Sequence, residues 1–272
     1  MNKKEQINTQ KNIETHAKRN SMLPVERRER LLALLQERKS ASTEELASAL
    51  EVSVMTVRRD LELFQREGRI QRCHGGAVLS QKSVQEAPYD QKMTVGMERK
   101  AVLAKLAAQL VEPGMTVYLD AGTSTYLIAE ELAQIERLTI ITNDLKIALR
   151  LLSSSVEVVV LGGKVQKRTG SMIGGSTLEQ MSNLRASIAF VGAASIDEHF
   201  ATLTPTQEKV ALKRSIRSIA QKSYLIADAS KFHSSALYFV DHLSDYDGVI
   251  TDAIFNESEL RLLGKKTRLI TP

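Results

Sequence analysis

The spacing of apolar positions changes near residue 115, and the two spacings predict two different architectures. Between residues 24 and 66 apolar side chains recur every three or four positions, as in helices that bury one face. Leu31, Leu32, Leu34 and Leu35 give a first helix its stripe, with Pro24 suited to the opening turn. Leu46, Ala47 and Leu50 mark a short second helix that Ser42 or Thr43 starts, with Glu45 placed to close a capping box. A turn at Glu51 and Val52 leads to a third helix, capped by Ser53, whose Val54, Val57, Leu61 and Phe64 face inward. Gly68 ends that helix. Arg69-Ile70-Gln71-Arg72 then alternates charged with apolar residues, and Gly75-Gly76 permits a tight turn into Ala77-Val78, which predicts a hairpin wing.

From Met115 onward short apolar runs alternate with helical stretches: TVYLD, LTIIT, VEVVVL, IAFVGAA, SYLIAD, GVITD and TRLI. This alternation predicts an α/β domain with a largely parallel sheet covered by helices on both faces. Glu98 to Val111 reads as an amphipathic helix ended by Pro113-Gly114. Residues 80–97 are polar, lack a sustained period and read as a linker. The expected organisation is a disordered tail over 1–21, a winged helix-turn-helix over 22–79, the linker over 80–97 and the α/β domain over 98–272.

A short helix presenting polar and bidentate donors on its open side is what a DNA major groove admits. Here Ser53, Met55, Thr56, Arg58 and Arg59 occupy that side, and Arg69 and Arg72 stand on the wing where they would meet phosphates. Charge agrees with this placement. The chain carries a net +5, and residues 1–80 hold 15 Lys+Arg against 11 Asp+Glu, leaving 22 against 21 for the remainder. The partner expected is a double-stranded DNA operator, which ordinarily requires a homo-oligomer, a dimer or larger.

No apolar run approaches the length that spans a bilayer, and residues 1–21 lack the apolar core of a signal peptide, so a cytoplasmic protein without membrane contact is expected. The single cysteine, Cys73, suits a reducing compartment. Cys73-His74 is not joined by other histidines at ligand spacing, and no metal, cofactor or catalytic group is expected.

In sheets of this kind ligands bind outside the carboxyl ends of the strands. Asp120-Ala121-Gly122-Thr123-Ser124-Thr125 follows one such strand and opens a helix, so its amides and hydroxyls converge at a positive helix end. The same hexapeptide also reads as an ordinary capped turn. Asn143 ends the next strand and Gly163 lies after the third, while Lys213 and Lys231 are cationic candidates for a bound anion.

SVMTVRRDLELFQREGRIQRCHGGAV resembles the signature of the DeoR-type bacterial transcription regulators. DAGTST, TND, LGGKV, IAFVGA, ALKRSI and ADASKF resemble the sensor domain of the same family, a Rossmann-like fold related to ribose-5-phosphate isomerase and the acyl-CoA transferases. The resemblance spans Pro24 to the C-terminus. It implies a repressor of a carbohydrate operon, relieved by a phosphorylated sugar effector. There is one departure. Where the family commonly has Gly-Ala-Asp-Gly-Ile-Asp, this chain has Gly192-Ala193-Ala194-Ser195-Ile196-Asp197, and a Gly-Gly-Leu-Thr-Thr segment becomes Phe200-Ala201-Thr202-Leu203-Thr204. A methyl at Ala194 replaces a carboxylate that belongs to the active site in the isomerases. The alternative reading, a sugar-phosphate isomerase or transferase with an appended DNA-binding-like domain, is weakened by that replacement and by the arginines of the third helix.

Overall fold

The computed structural model describes residues 23–38, 40–66, 70–73, 75–79, 87–264 and 267–272. The expected tail, Gly68, Arg69 and residues 80–86 of the expected linker lie outside them. The chain divides into two compact units, Met1–Ser80 and Gln81–Pro272.

In the first unit α1 (Pro24–Arg38), α2 (Thr43–Ala49) and α3 (Val54–Arg66) enclose a core of Leu31, Leu35, Leu46, Val57, Leu61 and Phe64. Ser42 and Glu45 close the capping box of α2 reciprocally. The wing is an antiparallel pair, β2 (Ile70–Cys73) with β3 (Gly76–Leu79). A strand the apolar pattern did not signal, β1 (Ser40–Ser42), pairs with the other side of β3. Its approach explains Gly76, where an added Cβ would fall 2.9 Å from the Ser42 Cα.

The second unit begins inside the expected linker. Tyr89–Thr94 forms a helix, α4, followed by α5 (Met97–Ala108). Six residues are too few to display a period, and the anchor, a buried Tyr89, is a tertiary contact. All seven apolar runs become strands of one parallel sheet: β4 (Thr116–Leu119), β5 (Thr139–Thr142), β6 (Glu157–Val160), β9 (Ala186–Gly192), β12 (Ala220–Ile226), β14 (Gly248–Ile250) and β15 (Leu269–Ile270). Their order is β15-β14-β12-β9-β4-β5-β6. Leu103, Leu127, Ile128, Ile147 and Leu151 from α5, α6 (Thr123–Leu132) and α7 (Leu145–Leu151) cover one face. Met181, Leu212, Ile216 and Leu263 from α8 (Gly175–Ser182), α9 (Gln207–Ile219) and α10 (Glu257–Leu263) cover the other.

Two smaller sheets carry no clear apolar alternation: the hairpin of β7 (Lys164–Gln166) and β8 (Ser171–Ile173), and an antiparallel sheet of β10 (Ser195–Ile196), β11 (Ala201–Thr204) and β13 (Tyr238–His242). Just before β11, Phe200 takes the left-handed conformation with φ of 59°. Its ring is buried against Phe255, with centroids 5.7 Å apart, and Phe255 in turn meets Phe232 at 5.2 Å. Packing holds a bulky residue in the left-handed region.

Candidate functional site

The open face of α3 starts at its cap. Ser53 Oγ accepts from the Thr56 amide at 3.1 Å and lies 2.8 Å from Thr56 Oγ1, so the two hydroxyls fasten the first turn together. With Val57, Leu61 and Phe64 held in the core, the opposite side of α3 turns outward. Met55 is 59% exposed, and Arg58 and Arg59 are left to solvent.

Asp60 turns the other way. Its buried carboxylate accepts Arg27 Nε at 2.7 Å, Arg27 Nη2 at 3.3 Å and Arg28 Nε at 3.2 Å, tying α1 to α3. The residue that follows Arg58 and Arg59 thus adds a polar tie to the apolar contacts that fix the rotation of α3. Sequence reading passed over it because its partners stand 32 and 33 residues away. The available signal was a carboxylate inside an apolar stripe. On the wing, Arg72 is half-buried and lies 3.6 Å from Glu62 of α3, so it is loosely paired rather than free.

In the second unit the chain progresses outward from β4 through β5 to β6, and outward the other way from β9 through β12 and β14 to β15. The direction reverses between the neighbours β4 and β9, and the crevice beyond their carboxyl ends is where doubly wound sheets take ligands. Asp120 lies there, buried. Its Oδ1 accepts the Ala121 amide at 2.8 Å, and its Oδ2 accepts the Gly192 amide at 3.1 Å and the Lys213 ammonium. Lys213 also donates to the Gly192 carbonyl at 2.5 Å.

Lys213, expected as a cation for a bound anion, is paired here with Asp120. An ammonium only 8% exposed has lost most of its hydration, and Asp120 supplies the compensating charge. Lys213 braces β4 against β9.

The loop that opens α6 is held from two sides. The Gly122 amide donates to Asp144 Oδ2 at 3.1 Å, and Thr125 Oγ1 donates to the carbonyls of Asp120 at 2.5 Å and Gly122 at 2.9 Å. Gly122 offers no side chain to cap the helix, which leaves the Thr123, Ser124 and Thr125 amides at its positive end without an internal cap. Asp144 caps α7, accepting the Lys146 amide at 2.7 Å and the Ile147 amide at 3.4 Å through Oδ1. Burial raises its carboxyl to about 6, with the charge of Asp120 adding to the rise and the amide donors opposing it.

The other predicted residues are placed differently. Asn143 Nδ2 donates to the Met172 carbonyl at 3.0 Å and its Oδ1 accepts the Tyr118 hydroxyl at 3.3 Å, so its side chain joins β8 to the sheet. Gly163 packs too closely for any side chain, since a Cβ would fall 2.8 Å from the Ile173 carbonyl oxygen. Lys231 follows β12, two strands from β4. There burial works against the charge of Asp228, but Lys231, the Ser230 hydroxyl and Lys100 outweigh it and hold that carboxyl below its ordinary range. The structure therefore gathers Asp120, Gly122, Thr123, Ser124, Thr125 and Lys213 at the crevice, turns Asn143 and Gly163 to packing, and leaves Lys231 on the β12 side. Asp144, legible in the sequence as the start of the helix after Asn143, joins the residues at the crevice by bonding the Gly122 amide.

Residues 27–83 match the DeoR-like helix-turn-helix domain and residues 96–253 the DeoR C terminal sensor domain. The chain is 37% identical over 246 residues to the HTH-type transcriptional regulator YgbI of Escherichia coli (strain K12), covering 90% of this chain and 96% of that one. It is 32% identical over 233 residues to the glycerol-3-phosphate regulon repressor of the same organism, covering 85% and 92%. Among solved structures, ribose 5-phosphate isomerase A from Methanocaldococcus jannaschii aligns with 50% of this chain and 54% of its own at 20% identity and a TM-score of 0.38. The two matched domains and the overall identities place this chain in the DeoR family, as a DNA-binding transcriptional regulator rather than an enzyme.

Proposed function

We propose that the protein is a repressor of a carbohydrate-metabolism operon, working in the cytoplasm as a homo-oligomer, and that a phosphorylated sugar or polyol in the β4/β9 crevice releases it from DNA. The observation that carries this reading is the set of uncapped amides at Thr123, Ser124 and Thr125, which open a helix at the point where the sheet order reverses. Lys213 and Asp120 neutralise each other beneath them, so the phosphate is received by backbone dipoles and the hydroxyls of Thr123 and Ser124. A repressor of the glycerol-3-phosphate regulon among the relatives agrees with a small phosphate ester as effector. On α3, Arg58, Arg59, Thr56 and Met55 read base edges, while Ser53 and the wing arginines Arg69 and Arg72 meet the backbone.

The test begins with a DNA site selected by the full chain from a random library, followed by titration of that complex with phosphorylated sugars and polyols, glycerol 3-phosphate among them. One ester should lower operator affinity about 5- to 150-fold, the span of ordinary allosteric coupling. If none of the esters weakens the complex, the effector assignment fails and the DNA-binding reading remains.

A further inference from the structure

The segment read from sequence as a linker runs along the carboxyl rim of the sheet. At its start Tyr89 is 6% exposed, and its amide donates to the Arg168 carbonyl at 3.0 Å. Its ring stands edge-on to Tyr126 in the first turn of α6, with centroids 6.3 Å apart, and the Lys146 ammonium lies 4.1 Å over its face. Lys146 belongs to the first turn of α7, so this end of the segment sits on the β5 side of the crevice. The Tyr89 hydroxyl is buried with no hydrogen-bond partner among the described residues. Burial, and after it the negative charge of Asp144, push this phenol far above its ordinary range.

The other end is fastened to the start of α5. Lys100, 2% exposed near the start of α5, donates to the Lys92 carbonyl at 2.6 Å and the Val95 carbonyl at 2.7 Å, closing the C-terminal end of α4. Burial lowers its ammonium to about 8, against the pull of Asp228 at the end of β12. Beside it Arg99 reaches Asp252, beyond β14, at 3.7 Å. In the sheet β4 and β9 lie between β5 and β14, so the two ends of the segment meet residues on opposite sides of the crevice.

We infer that residues 87–100 form a strap over the effector crevice, latched at Tyr89 and at Lys100, and that the state of the Thr123–Thr125 amides reaches the chain leading to the DNA-reading unit through this strap. The inference rests on reading the crevice as the effector site. Tyr126 carries the ring contact and belongs to the same helical turn as those amides, so a shift of that turn is felt at the latch. The Tyr89 hydroxyl is the group that can take up a partner, because it has none among the described residues.

Hydrogen exchange of the full chain, resolved by peptide, tests the strap. Tyr89→Ala and Lys100→Met should each speed exchange at residues 122–126 about tenfold, although neither side chain bonds to those amides, and should leave β9 unchanged. If neither variant moves residues 122–126, the strap is not coupled to the crevice and the inference is overturned. Should Tyr89→Ala not fold, Lys100→Met and the parent protein with inorganic phosphate decide it. In the parent, inorganic phosphate should slow exchange at residues 123–125 and alter exchange at residues 89–95 with the same concentration dependence. Protection of 123–125 with residues 89–95 unmoved overturns the strap and keeps the effector site. No protection at 123–125 counts against the effector site, and the two variants still judge the latch.

Discussion

The ammonium of Lys213 is bound to the Asp120 carboxylate and to the Gly192 carbonyl, and so joins the ends of β4 and β9 where the sheet reverses its order. Removing one member of a buried pair strands the other, at a cost of about 3–5 kcal/mol. Lys213→Met should therefore lower the melting temperature by roughly 10 °C, given about 2–4 °C per kcal/mol for a unit of this size. Asp120→Leu combined with Lys213→Met should recover much of that loss. Differential scanning calorimetry on both variants checks it, and a double variant less stable than the single one would contradict the pairing.

Arg59 and Asp60 are neighbours with separable effects. Arg59→Ala should leave thermal stability unchanged and weaken specific DNA binding by about 1–3 kcal/mol. Asp60→Ala should instead destabilise the first unit by about 1–3 kcal/mol, because Arg27 and Arg28 lose their shared acceptor. Circular dichroism melting and binding titrations on the same preparations separate the two, and an Asp60→Ala protein as stable as the parent would remove the link between α1 and α3.

Glu62 and Arg72 form a loose pair between an exposed carboxylate and a half-buried guanidinium, worth at most about 1 kcal/mol. Glu62→Gln should free Arg72 for phosphate, strengthen binding to all DNA sequences alike and steepen the salt dependence by about one counterion. Filter binding at several salt concentrations reads this directly; a gain confined to one sequence would mean that Arg72 touches bases.

Asp144 makes stability depend on acidity in a predictable direction. Its folded value, about 6, lies above the ordinary 3.8, so the folded state holds the proton more tightly than the unfolded chain. Its contribution is whole below about pH 4 and declines as pH climbs to 6, by roughly 3 kcal/mol in all. Asp144→Asn should therefore gain stability relative to the parent over that window. Urea denaturation from pH 4 to 7 gives the difference, which would stay flat if the carboxyl titrates normally.

The seven parallel strands were legible because each is a short apolar run, a property of contiguous residues, even at the partly exposed edges β6 and β15. The open face of α3 was legible for the same reason, since Val57, Leu61 and Phe64 fix its rotation from within one helix. What escaped depends on distance along the chain. Asp120 meets Lys213 93 residues away, and a lysine at the end of an apolar stripe looks the same whether it is paired or solvated. Tyr89 sits in a polar stretch whose role emerges only once Tyr126 and Lys146 arrive beside it. The small sheet of β10, β11 and β13 is assembled from pieces of two to five residues, too short to establish a period.

Gly76 has a consequence for how this regulator can diversify. The wing is held off β1 by backbone meeting backbone, with no side chain between them that could be lengthened or shortened. Its height above α3 is thus a fixed gauge, and even alanine would pry the two strands apart. On the proposed reading of α3, changes of operator preference come from substitutions at Met55, Thr56, Arg58 and Arg59, which can vary without re-spacing the domain.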